Sequence, residues 1–83
     1  SYLDFAIYPN PARQQVHLSF EEPFKKGVVE LYDFTGRMLK RAVLSQQEIS
    51  IDVADIPQGL YLLTIDIDGK RYVEKLSIGN WGL

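Results

Sequence analysis

The sequence predicts an all-β domain, a β-sandwich of about seven antiparallel strands. Apolar residues recur at every second position in several short runs, which is the period of a strand with one face toward a core. Turn signals such as Asp68-Gly69, Pro57-Gln58-Gly59 and Asp33-Phe34-Thr35-Gly36 separate these runs. The runs follow one another at roughly 8–12-residue intervals, a spacing typical of sandwiches.

The first expected strand covers residues 4–8, and Pro9-Asn10-Pro11 ends it. Each proline removes an amide donor and holds the residue before it extended, so this link cannot pair as a central strand. Residues 15–20 alternate next, with Val16, Leu18 and Phe20 inward and His17 and Ser19 outward. Glu21-Glu22-Pro23 closes that strand. Residues 27–33 follow, with Val29 and Leu31 on one face and Val28, Glu30 and Tyr32 on the other. Asp33 suits the first position of the turn after it and Gly36 the last.

Residues 37–44 are the ambiguous segment. Met38, Leu39, Ala42 and Val43 fit a helical stripe, while Leu39 with Val43 also fits a strand. The segment is short and no N-cap precedes Arg37, which favours a strand. Residues 48–53 alternate again, with Ile49, Ile51 and Val53 inward.

The run after Gly59 is expected to be the central strand. Tyr61, Leu63, Ile65 and Ile67 mark its core face, and Leu62 on the other face implies cover on both sides near its start. Asp68-Gly69 reverses the chain, since a tight hairpin needs positive φ. Residues 70–78 complete the set. Tyr72, Glu74, Leu76 and Ile78 share one face, and Val73, Lys75 and Ser77 the other. The expected domain is 1–78, with 79–83 a flexible tail that carries two glycines and no alternation.

At 83 residues and 46% apolar composition, a single small core must hold the fold. There is no cysteine, hence no disulfide and no thiolate ligand to reinforce it. A net charge of −2 gives no electrostatic footprint for nucleic acid or an anionic membrane. No apolar run approaches the roughly 20 residues of a membrane helix, so no membrane insertion is expected. The opening at Ser1, without an initiator Met, reads as a piece of a longer protein.

A catalytic constellation is hard to assemble, and no enzyme activity is expected. His17 is the one histidine and falls on the polar face of a strand. No strand-to-helix elbow singles out a serine nucleophile. Asp66-Ile67-Asp68-Gly69 looks like the start of a calcium loop, but the twelfth position from Asp66 is Ser77 where a bidentate Glu is needed. The hairpin accounts for Asp68 and Gly69 without a cation. Asp52 and Asp55 would join a cation site only if the fold brought them together. The glycines sit singly rather than in a phosphate-binding loop, and the aromatics are not interleaved with Lys and Arg. Neither a metal nor a cofactor is expected.

Four pieces carry more information when taken together. They are Tyr8-Pro9-Asn10-Pro11-Ala12, then Val29 to Leu39 with Asp33-Phe34-Thr35-Gly36 inside it, then Ile56-Pro57-Gln58-Gly59-Leu60-Tyr61-Leu62-Leu63, then Lys75-Leu76-Ser77-Ile78. In this order and spacing, residues 6–78 resemble the type A C-terminal sorting domain of the type IX secretion system of Bacteroidota. The resemblance implies an immunoglobulin-like sandwich that acts as an address and catalyses nothing. It implies passage through the periplasm and recognition by the outer-membrane translocation machinery. An N-terminal cargo domain would be carried to the cell surface or the medium, and a sortase-like peptidase would usually remove the signal.

Pro9, Asn10, Pro11, Gly36, Pro57, Gly59 and Tyr61 are the matching motif residues, with Gly36 and Gly59 assigned to turns and Tyr61 to the core. Lys75, Leu76, Ser77 and Ile78 match the end where the family concentrates its recognition signal. The chain departs from the pattern at the polar Ser77 and at Gly79, where a basic residue is usual. Truncation before Lys75 is expected to block export while leaving the core mostly folded.

Two other readings compete. An accessory carbohydrate-binding sandwich would display aromatics on one sheet face, and Tyr32, Tyr72 and Trp81 are the available ones. Half-buried cross-strand packing accounts for Tyr32 and Tyr72 equally well. A passive stalk domain would be followed by more protein.

Overall fold

The computed structural model describes residues 4–79. They form seven strands: β1 (Phe5–Tyr8), β2 (Gln15–Phe20), β3 (Gly27–Tyr32), β4 (Met38–Leu44), β5 (Glu48–Asp52), β6 (Gly59–Ile67) and β7 (Lys70–Ile78). A three-stranded sheet has the order β1-β2-β5 and a four-stranded sheet the order β4-β3-β6-β7. Every ladder is antiparallel. The expected sandwich of antiparallel strands is what the chain forms, in a layout compatible with an immunoglobulin-like fold. No helix among the described residues is long and apolar enough to cross a membrane.

The core lies between the inner faces of the two sheets. Val16, Leu18 and Phe20 of β2 meet Val29 and Leu31 of β3, Leu63 and Ile65 of β6, and Leu76 and Ile78 of β7, all almost fully buried. Complete burial of such a side chain is worth about 1.5–3 kcal/mol. Strand β6 is the longest central element, flanked by β3 and β7. Its hairpin to β7 turns through Asp68 (φ 49°) and Gly69 (φ 87°), both left-handed as a type I′ turn demands. Asp68 has a second task. Its carboxylate accepts the amides of Lys25 (3.0 Å) and Lys26 (2.8 Å), pinning the loop that enters β3.

Strand β4 is a strand, but the face expected for it is wrong. Val43 is exposed, whereas Ala42 and Leu44 lie opposite Val29 and Gly27 on the inner face. The cause is a bulge: Leu31 pairs with Lys40 and Tyr32 with Met38, so Leu39 is the extra residue. A bulge shifts the alternation by one, so Leu39 packs against the core while Val43 does not.

The cover expected over β6 is only partial. Leu62 is half-buried and Thr64 buried, yet Leu60 is exposed. On this face Leu62 lies between Tyr32 and Lys75, and Thr64 between Glu30 and Val73, with no further sheet of described residues over them.

Candidate functional site

Apart from Gly36, the expected motif residues lie on or beside one edge of the four-stranded sheet, that of β7. After β1 the chain runs past that edge through Pro9-Asn10-Pro11, where both X-Pro bonds are cis. Asn10 stands where another strand would. Its Nδ2 donates to the carbonyl of Lys75 (3.2 Å), and its Oδ1 accepts the amide of Ser77 (2.9 Å). One carboxamide thus presents the donor and acceptor of a peptide group to the strand edge. Ala12 continues the pairing as a parallel bridge to Ile78: its amide donates to the Ser77 carbonyl (2.8 Å), and its carbonyl accepts the Gly79 amide (2.7 Å).

The Pro57 motif backs the same stretch from the other side of β7. Gly59 pairs with Ile78 and Tyr61 with Leu76. Tyr61 is buried as expected, and its hydroxyl donates to the Pro57 carbonyl (2.5 Å), closing the approach to β6. Gly59 is not the turn residue expected. It opens β6 without a positive φ, and a Cβ there would meet Tyr61 at an ordinary 3.5 Å. Gly36 does occupy a turn, with φ 90°. There Asp33 accepts the Thr35 hydroxyl (2.6 Å) and the amides of Thr35 (2.9 Å) and Arg37 (3.0 Å). These bonds, led by the Thr35 hydroxyl, hold the Asp33 carboxyl below its ordinary pKa. The Gly36 turn lies at the same end of the sheet as Gly59, separated from β7 by β6 and β3.

Of the last-strand residues, Leu76 and Ile78 are core and Lys75 and Ser77 are not. The strand therefore cannot be removed while the core stands. Truncation before Lys75 deletes two fully buried side chains, each worth about 2–5 kcal/mol, from a domain whose whole stability is about 5–15 kcal/mol. Lys75 lies beside Leu62 on the outer face, exposed, and its ammonium has no ion-pair partner among the described residues. Between β1 and β7 runs a groove of about 380 Å³ whose lining includes the carboxylates of Asp4 and Glu74, the rings of Phe5 and Tyr72, and Lys75.

The family model that matches this chain is described as a secretion system C-terminal sorting domain, and it covers residues 6–79. The chain belongs to that family, the sorting domains of the type IX secretion system. Its matched span ends on Gly79, the residue held by Ala12 at the locked edge. Among solved structures, the sorting domain is similar to part of PorZ of Porphyromonas gingivalis, described as an essential bacterial surface component of the type IX secretion system. The identity is 21% and the TM-score 0.74, over 92% of this chain and 11% of that one. The likeness shows a shared fold, and the sorting domain spans about a ninth of that longer chain. No curated protein matches it. Membership implies a secreted or cell-surface protein that carries this domain as its sorting signal.

The other sequence candidates scatter. His17 is half-buried on the outer face of the three-stranded sheet, with Nδ1 2.5 Å from the Ser50 hydroxyl and its ring against Tyr8. Asp52 accepts the Ala54 amide, and Asp55 pairs with Lys40 (2.9 Å), so each has its own partner. Among the described residues, no three His, Asp or Glu side chains gather as a metal would need. Tyr32 and Tyr72 are half-buried on opposite faces of the four-stranded sheet, Tyr72 against Phe5, so they form no common platform. Trp81 lies outside the described residues.

Sequence reasoning quoted Ala12 only as the end of the first motif, and it gave no binding role to the exposed apolar residues Met38, Leu60 and Val73 of the outer face. The signal for these three was apolar doublets such as Leu60-Tyr61, Met38-Leu39 and Tyr72-Val73, which break strict alternation.

Proposed function

We propose that the sorting domain is read as a folded ligand at the locked edge of β7, where the translocation machinery contacts Lys75 and Ser77. In this reading the domain is not an enzyme. It directs an N-terminal cargo through the periplasm, and a sortase-like peptidase then cuts in the segment ahead of β1. The observation that carries the reading is the convergence of Asn10 with Lys75 and Ser77: two motifs 65 and 67 residues apart form one structure through the Asn10 side chain. The Pro9-Asn10-Pro11 motif has a physical purpose in this scheme. A small sandwich in transit with a bare edge strand would be open to pairing with other chains, and the docked segment covers that edge at its signal-bearing end.

The test fuses residues 1–83 behind a periplasmic fluorescent reporter in a type IX-competent bacterium. The parent fusion reaches the medium or surface, and Lys75→Glu with Ser77→Glu leaves it in the periplasm while the purified domain melts within a few degrees of the parent. Export of that double variant at the parental level would refute the assignment to the β7 edge.

A further inference from the structure

The outer face of the four-stranded sheet carries more exposed apolar surface than a solvated face needs. Met38, Val43, Leu60 and Val73 are each between 47% and 63% exposed. All four project from this one face, as the register shows: Met38 lies beside Tyr32, Val43 beside Val28, Leu60 beside Ser77, and Val73 beside Thr64. Met38, half-buried Tyr32 and half-buried Leu62 form one row that leads to Lys75, with Leu60 and Val73 flanking it, while Val43 lies beyond the Glu30–Arg41 pair.

The carboxylates of this face are already matched. Glu30 faces Arg41 (3.4 Å) and accepts the Tyr32 hydroxyl (2.9 Å). Asp66 is held by Arg71 through paired bonds of 2.9 and 3.1 Å. Lys75 stands among Leu60, Leu62 and Val73 as the cation without a counter-charge among the described residues.

We propose that this face is the docking surface, and that its occupant is a protein surface of the export machinery presenting apolar side chains around a carboxylate that meets Lys75. The proposal rests on the sorting reading above and adds the partner's chemistry. Exposed apolar side chains gathered beside an unmatched cation favour a protein partner, since such surface on soluble proteins marks interaction sites. The charge pattern selects the sign: a basic partner would meet only neutralised carboxylates and an unmatched lysine.

The reporter fusion tests it with Leu60→Asp and Val73→Asp made separately, beside Lys75→Glu and Lys75→Met. Ser50→Asp, on the outer face of the other sheet, is the control. The expected result is an export loss of tenfold or more for both Asp variants and for Lys75→Glu. Lys75→Met, which keeps the apolar stem, should fall by a smaller factor, and Ser50→Asp should match the parent. Melting of each purified domain within a few degrees of the parent separates docking from folding. Parental export of Leu60→Asp and Val73→Asp while Lys75→Glu fails would overturn the apolar face and leave the edge reading intact. Equal loss for Lys75→Met and Lys75→Glu would overturn the carboxylate partner. Retention of the unmutated fusion in the periplasm would overturn both readings.

Discussion

Asn10 does by side chain what a neighbouring strand would do by backbone. Its two bonds lie on an exposed edge, so each is worth about 0.5–1.5 kcal/mol net. Asn10→Ala should therefore lower stability by about 1–2 kcal/mol and speed hydrogen exchange at the Ser77 amide. Asn10→Asp should keep Ser77 protected, because its carboxylate still accepts that amide. It should still lose stability, since it sets a negative oxygen against the Lys75 carbonyl. Exchange at Ser77 unchanged in Asn10→Ala would show that the carboxamide does not hold the edge. Asp68 acts at the same scale, with a positive φ and two amide bonds depending on one residue. Asp68→Ala, strained in that φ and without an acceptor, should lower the melting temperature more than Asp68→Asn does.

Strand β7 closes the core with its inner residues, and in the proposed reading its outer ones face the partner. Leu76→Ala should cost about 2–5 kcal/mol by leaving a cavity, and calorimetry should find the domain near or past its unfolding limit. Export lost through that variant says nothing about recognition, which is why the outer residues are the informative ones.

The turns add a pH dependence of definite sign. Asp33 is held low chiefly by the Thr35 hydroxyl, Asp55 by Lys40, and Asp66, within the sheet, by Arg71. Each folded pKa lies below its unfolded value, so each contribution is complete above the ordinary carboxylate range and is lost as pH falls through the depressed value. Thermal midpoints should be flat from neutrality to about pH 5 and decline below about pH 4. Exposure and salt screening keep the decline shallow. A midpoint that rises on acidification would contradict these assignments.

At the scale of the whole molecule, the described residues form a sandwich with two faces of different character and one covered edge. Strand number, the central place of β6 and the Asp68-Gly69 hairpin were legible because alternation and turn chemistry are local and period-two. The family was legible for a related reason: its motifs are short runs in fixed order. The face of β4 was not, because a single bulge residue, Leu39, inverts the parity of everything before it. Gly59 was misassigned because Pro57-Gln58-Gly59 looks like a turn, whereas pairing with Ile78 draws it into the strand.

What the chain determines by itself, then, is which residues alternate, where it reverses, and that it reads as an address. Tertiary structure alone decided that Asn10 meets Lys75 and Ser77, and that Met38 and Leu60 share the outer face of one sheet with Val73 and Lys75. Periodicity reports the side of a strand on which a residue falls. It carries no information about which strands become neighbours, and both the lock and the face are made between strands.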